Sequence, residues 1–298
     1  MLDKVLILGG AGRVGQFINQ LLEPTACERV VIDVVSPCEP MAHRVMSALD
    51  LPTQAPALLR EASMLVFALP EDAALEALDR LAAFCRARVV INTCSVQEPF
   101  QRAMRKLLPS VASVGINPMF SPSLDCRSRP VALCEPVASA AGEMLDSLLT
   151  SKGMNVRRLT PGDHDQIMAL CQTLPHAAIL AFAMTLARSS CDMQVLDALS
   201  PPPMKTMLAL VARMLHNDPQ TYWDIQKYNT GAQDQRDQLS GSLDRLDSLS
   251  RQPTVTAFAR ELEDVRLLLG DHAGTYGDTC ANLFDMLVSS GSKATCQK

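Results

Sequence analysis

The strongest constraint on how this chain can fold is a glycine-rich turn set between an apolar run and an amphipathic stretch, Leu6-Ile7-Leu8-Gly9-Gly10-Ala11-Gly12-Arg13-Val14-Gly15. It contains G-x-G-x-x-G as Gly10, Gly12 and Gly15. In a strand–turn–helix unit the first glycine permits the tight turn, the second lets the backbone approach a pyrophosphate, and the third lets the helix pack on the strand. The phosphates then sit at the helix N-terminus, where unpaired N–H groups and the helix dipole favour negative charge. An acid, Asp33, lies 18 residues beyond Gly15, at the end of the next apolar run. That is the distance at which a carboxylate binds ribose hydroxyls, and its charge repels a 2′-phosphate. The expected cofactor is NAD, held by Gly10, Ala11, Gly12, Arg13, Val14, Gly15 and Asp33, with Leu69 and Pro70 after a later strand completing the set.

The rest of the first half fits that unit. Short apolar runs at Lys4 to Leu8, Arg29 to Val34, Met64 to Ala68 and Val89 to Asn92 read as buried strands. Helical patterns at Val14 to Leu22 and Ala73 to Arg86 fall between them. Later strands are expected at Val111 to Ile116 and Pro130 to Leu133, then a helix through Ala138 to Leu149. Beyond Leu159 helical patterns follow one another, at Asp165 to Arg188, Pro203 to His216, Tyr222 to Asp247, Val255 to Leu269 and Ala273 to Ser289. The expected fold is α/β: a Rossmann-type, doubly wound parallel sheet over residues 1–159, plus an all-helical domain over 160–298. A helical half this apolar is expected to bury surface against a second copy of itself.

Composition narrows the partners. The net charge of −5 and a pI near 5.6 argue against nucleic acid, which demands clustered Lys and Arg. The apolar content of 48% is ample for a core, yet no uninterrupted run of membrane-spanning length is apparent, and Met1 leads straight into the first strand. The expectation is a soluble cytoplasmic protein with a small-molecule substrate. Ten cysteines, Cys296 among them, are scattered without a CxxC pair and read as reduced, mostly buried side chains. Five histidines without paired spacing give no metal site.

Two further segments resemble the prephenate and arogenate dehydrogenases, most of all their proteobacterial branch. Ile116-Asn117-Pro118-Met119-Phe120-Ser121-Pro122 is similar to that family's His-Pro-Met-Phe-Gly-Pro, and His164-Asp165 followed by Gln172-Thr173-Leu174-Pro175-His176 is similar to its His-Asp and Leu-Pro-His motifs. The resemblance implies a nucleotide-binding domain, a helical dimerisation domain, a homodimer, and oxidative decarboxylation of a prephenate-type cyclohexadiene with NAD. It also implies that Ser95 lies near C4 of the substrate, that His176 binds the pyruvyl side chain, and that Gln172 and Thr173 line the substrate site. Ser95 is equally well read as a serine ending a strand. His164 and Asp165 read as opening a helix, with Asp163 or Asp165 as its cap.

The departures from the family pattern carry the substrate argument. Asn117 stands where the resemblance places a general-base histidine, and a carboxamide cannot take up a proton near neutral pH. Gly231 stands where the family holds the ring carboxylate with arginine; Lys227, one helical turn earlier, is the nearest cation, with Arg236 further on. Gln97 replaces a lysine often found after the serine. A substrate that needs no base, 4-amino-4-deoxyprephenate, fits Asn117 best, with Asn117 and Ser95 as the reacting-centre residues and Lys227 as an anion contact. A prephenate dehydrogenase tolerant of Asn117 and a non-catalytic NAD-binding protein remain as alternatives.

Overall fold

The computed structural model describes residues 3–38 and 41–294, with side chains to residue 287. Cys296 lies outside the described residues. Strand β1 (Lys4–Leu8) has Val5, Leu6, Ile7 and Leu8 fully buried, as a central strand covered on both faces requires. It is flanked in parallel by β2 (Glu28–Asp33) and β4 (Met64–Phe67). Strand β3 (His43–Val45) extends the sheet beyond β2, while β5 (Val89–Asn92) and β6 (Ala112–Pro118) extend it beyond β4. Strand β7 (Pro130–Cys134) then runs antiparallel to β6, and β8 (Asn155–Leu159) pairs in parallel with β7. The order β3-β2-β1-β4-β5-β6-β7-β8 contains the expected nucleotide-binding arrangement and adds two strands of reversed direction.

Helices cover both faces. On one, Leu6, Leu8, Phe67 and Val90 pack with α2 (Leu51–Gln54), α3 (Pro56–Glu61), α4 (Glu71–Ala82) and α5 (Glu98–Leu107). On the other, Val5, Ile7, Ile91 and Val114 pack with α1 (Arg13–Leu21) and α6 (Ala140–Ser151). The strands absent from the sequence expectation, β3 and β8, are short edge strands with mainly exposed or half-buried side chains, so they carry no apolar run. Helix α5 was equally silent, because its buried face includes the polar Gln101 beside Phe100 and Met104.

Two compact units form. The first runs to Thr173 and takes in Gln220–Ala232; the second comprises Leu174–Pro219 and the chain from Gln233 onward. Residue 159, the expected boundary, thus lies inside the first unit, because α7 (Pro161–Met168) and a π-helical turn (Ala169–Thr173) belong with the sheet. Helix α7 is capped by Thr160, whose Oγ1 accepts the N–H of Asp163 at 3.2 Å, so neither Asp163 nor Asp165 is its cap.

The second unit contains α8 (Leu174–Ala187), α9 (Met193–Leu199), α10 (Pro202–Leu215), α13 (Thr256–Leu269) and α14 (His272–Ala294). Helix α8 packs on α10, and α10 and α13 pack on α14. Its interior is thin, and Met184, Leu210, Val265, Leu268 and Met286 are exposed. Within the helical stretch Pro161–Ala187 an 18-residue window reaches a mean hydropathy of 1.6, so by length and composition alone the stretch is long and apolar enough to cross a membrane, correcting the expectation of no such segment. The stretch has no unbroken apolar run, because Gln172, Thr173 and His176 interrupt it; only the average over the window is high. The cysteines are free, but only Cys27, Cys85, Cys94 and Cys134 are buried among the nine described, so burial is less general than expected.

The expected helix Tyr222 to Asp247 is in fact α11 (Pro219–Tyr228) and α12 (Ala232–Ser250). Buried Asn229 makes the break: its Oδ1 accepts the N–H of Gly231 at 2.9 Å, and its Nδ2 donates to the carbonyl of Asp165 at 2.8 Å. A Cβ on Gly231 would stand 3.0 Å from the Ala169 side chain. Lys227 and Gly231 therefore do not share a helical face, contrary to expectation.

The glycine turn assigns its roles by space. Gly9, not Gly10, takes the left-handed φ of +79°, and a Cβ there would meet the Ala68 carbonyl oxygen at 2.2 Å. A Cβ on Gly15 would come within 2.3 Å of the Gly9 oxygen, whereas on Gly12 the nearest atom would be 3.4 Å away. Gly15→Ala is accordingly expected to cost about 1–3 kcal/mol through overpacking, while Gly12→Ala leaves the urea midpoint close to wild type. Equal midpoints for the two variants would contradict this assignment.

Candidate active site

The turn after β1 is built to receive an anion. Helix α1 begins at Gly12 with no side-chain cap and no acid in its first turn, so its leading N–H groups are open. Asp33, at the end of β2, accepts the N–H of Ala11 on Oδ2 at 2.9 Å and that of Val35 on Oδ1 at 3.2 Å. Each carboxylate oxygen retains a second lone pair, so the acid can brace the turn and still accept ribose hydroxyls. Gly12 and Arg13 are exposed, Ala11 and Val14 half-buried. Leu69 is half-buried beside Gly9, and Pro70 is the residue from which α4 begins. These residues suit a dinucleotide.

Strand β6 delivers Asn117 into a buried polar chain. Its Nδ2 lies 3.0 Å from Nε2 of His164, and Nδ1 of His164 lies 2.7 Å from Oδ1 of Asp165. Asp165 accepts the N–H of Gln97 at 2.8 Å and of Glu98 at 2.9 Å, capping the N-terminus of α5. A carboxylate receiving those donors also accepts a hydrogen bond from His164 Nδ1–H, which leaves Nε2 of the neutral ring as an acceptor. Asn117 must then donate through Nδ2. Its Oδ1 has no hydrogen-bond partner among the described residues. Sequence reasoning had read His164 and Asp165 as structural members of their own helix; the structure brings them to Asn117 and to the turn bearing Ser95.

Ser95 is half-buried in the segment between β5 and α5. Its N–H donates to Oε1 of Glu71 at 2.7 Å, and the N–H of Val96 donates to the same atom at 3.3 Å. The backbone N–H of Glu71 donates to Asp224 Oδ2 at 3.2 Å, and burial together with that neighbouring carboxyl pushes the Glu71 pKa up to about 8. Sequence reasoning missed both acids, because 153 residues separate them. Gln97 is fully buried and donates from Nε2 to the Cys94 carbonyl at 2.7 Å, with its side chain against Gly115, where a Cβ would be 1.7 Å from Oε1.

The remaining expected residues fall on several elements. Gln172 and Thr173 lie in the π-helical turn, a geometry frequent at functional sites. The Thr173 hydroxyl is buried without a partner among the described residues, and its carbonyl accepts from Gln226 at 2.9 Å. His176 belongs to the second unit, where burial lowers its pKa. Lys227 pairs with Asp72 at 3.4 Å and with the Tyr228 hydroxyl at 2.9 Å, so its ammonium is already engaged. Arg236, on α12, bonds Gln233 at 2.9 Å.

Removing the link between α7 and α5 strands several groups at once. Asp165→Ala is expected to cost about 1–3 kcal/mol, by leaving buried His164 and the α5 N–H groups unpaired. A urea midpoint matching wild type would show that the chain contributes nothing to folding.

Comparisons with known proteins bear on the family and the fold. Residues 160–264 match the family described as "Prephenate dehydrogenase, dimerization domain". The chain is 33% identical over 288 residues to the 4-amino-4-deoxyprephenate dehydrogenase of Streptomyces pristinaespiralis, covering 95% of this chain and 97% of that one. It is 27% identical over 226 residues to the T-protein of Enterobacter agglomerans, of whose length it covers 56%. In fold it is similar to prephenate dehydrogenase of A. aeolicus, solved with hydroxyphenyl propionate and NAD+, with a TM-score of 0.70 at 18% identity over 90% of this chain and 97% of that one. Arogenate dehydrogenase of Synechocystis gives 0.65 at 17% identity, over 92% and 99%. With 33% identity to the Streptomyces enzyme sustained over nearly its whole length, the chain belongs to the prephenate dehydrogenase family of oxidoreductases.

Proposed function

We propose that this chain is an NAD-dependent dehydrogenase that oxidises and decarboxylates 4-amino-4-deoxyprephenate to 4-aminophenylpyruvate. The observation that carries the substrate is the orientation of Asn117: Nδ2 is committed to His164, leaving Oδ1 as an acceptor where the family resemblance places a base. A bound amine offers that oxygen an N–H, which turns the nitrogen lone pair toward the carbon that loses hydride.

The chemistry of the amine explains why a carboxamide suffices. Loss of hydride from the C4 that bears the neutral amine leaves an iminium; the ring carboxylate departs as carbon dioxide, its bonding electrons close the aromatic ring, and a neutral aniline results. No proton leaves. A 4-hydroxyl substrate passes through a protonated ketone, so it needs a base, and Asn117 has no basic nitrogen to offer. NAD, when bound, supplies the hydride acceptor. The open N-terminus of α1, the bare Gly12 and the Asp33 carboxylate would hold it, and the negative charge of Asp33 favours it over the 2′-phosphorylated form.

We further read the protein as a cytoplasmic homodimer. The exposed Leu210, Val265, Leu268 and Met286 of the second unit supply apolar surface for a copy of the chain, in a region that matches a dimerisation domain. Light scattering is expected to give twice the 32.3 kDa chain mass, and a monomer at micromolar concentration contradicts it.

Steady-state assays decide the substrate. The expected kcat/KM for the 4-amino compound exceeds that for prephenate by about 100-fold or more, the value of a positioned base. A larger value for prephenate overturns the substrate assignment, and no turnover of either compound overturns the enzyme reading. Asn117→His is expected to raise kcat/KM for prephenate relative to the amine.

A further inference from the structure

Glu71 and Asp224 meet beneath the Ser95 turn. Glu71 is the first residue of α4, and Asp224 lies on α11, 153 positions away. Both side chains are buried, at 6% and 1% exposure. Asp224 Oδ2 accepts the backbone N–H of Glu71 at 3.2 Å, and Oδ1 accepts from Gln220 at 2.7 Å. The carboxyl of Glu71 receives the N–H groups of Ser95 and Val96 on Oε1, and the buried Asp224 carboxyl beside it raises its pKa. Two neighbouring buried carboxyls avoid facing negative charges only if one of them carries a proton, and the turn's backbone donors fall on Oε1 of Glu71.

We propose that Glu71 and Asp224 are a proton-sharing pair that positions the Ser95–Val96 turn for turnover, and that the turn is set only while Glu71 keeps its proton. With the proton present, Glu71 donates to Asp224 and is pinned against the turn. Once it leaves, two buried negative charges face each other, and the side chain that relaxes is the one holding the Ser95 and Val96 amides. The inference rests on the placement of Ser95 at the reacting centre.

The surrounding charges do not relieve that repulsion. From the segment after β5, the neighbouring titratable group is Cys94, whose thiol is pushed up by burial first and then by Glu71, Asp224 and Asp165. From α7 comes Asp165, engaged at the N-terminus of α5. From α11 the cation is Lys227, which pairs with Asp72 of α4. Burial and Asp224 hold the Glu71 proton to about pH 8. Because the folded value is raised, the stabilisation is complete below the ordinary carboxyl range and is lost as pH rises through about 8.

Glu71→Gln keeps both contacts with protons that cannot leave: Oε1 accepts from Ser95 and Val96, and Nε2 donates to Asp224. Glu71→Leu loses both. The first readout is kcat against pH with whichever of the two cyclohexadiene substrates turns over faster. Wild type is expected to fall about tenfold per pH unit above pH 8, the slope of one ionisation, whereas Glu71→Gln lacks that limb and at pH 7 exceeds Glu71→Leu at least tenfold. The second readout needs no substrate: amide exchange across residues 93–97, corrected for intrinsic rates, is expected to quicken between pH 7 and pH 9 in wild type but not in Glu71→Gln. Identical exchange in the two proteins overturns the pair. An unchanged alkaline limb in Glu71→Gln overturns its part in turnover. Ser95→Ala, run in parallel, tests the placement beneath: turnover within twofold of wild type withdraws Ser95 from the reaction while leaving the exchange result to stand for the pair.

Discussion

Two helix N-termini at the carboxyl edge of the sheet are closed by acids that come from far along the chain. Asp165 accepts the leading N–H groups of α5, and Asp224 accepts the first N–H of α4. Each helix begins with backbone donors that have no partner inside the helix and with the positive end of its dipole, so a carboxylate there satisfies hydrogen bonds and charge together. The N-terminus of α1 has no such acid and stays open. That difference leaves α1 as the helix end open to a ligand, while α4 and α5 receive the protein's own side chains.

Because Asp165 is tied down, so is what depends on it. Its remaining hydrogen bond sets the tautomer of His164, the tautomer sets which atom of Asn117 is a donor, and the carboxamide oxygen is left as acceptor. A buried polar group without a partner costs more than a good one gains, so the chain holds only as a unit. Asn117 is therefore more than a histidine lost. It is a carboxamide held in one of its two orientations.

Much of this was legible in order but not in assembly. The G-x-G-x-x-G spacing and the apolar runs gave the central strands to within a residue or two, since both follow from local steric and burial periods. The glycine roles shifted by one position, because it is Gly9 that passes under the Ala68 carbonyl. The edge strands β3 and β8 escaped because they bury too little to need an apolar run. Lys227 and Gly231 looked like neighbours on one helix until Asn229 broke it, and the reason lies in a bond from Asn229 to Asp165, 64 residues upstream.

Local pattern alone determined that the chain opens with a nucleotide-binding strand–turn–helix unit, that helices dominate its second half, and that position 117 bears no base. Only the tertiary structure decided how Asn117 is oriented, which helices Asp165 and Asp224 close, and that Glu71 carries the Ser95 turn. Glycine spacing and hydrophobic period are enforced within a few residues by sterics and burial, and so are written in sequence. The partner of a buried carboxyl is chosen by which donors the fold brings into hydrogen-bond reach, and the helix N–H groups that Asp165 and Asp224 close lie between 67 and 153 residues away.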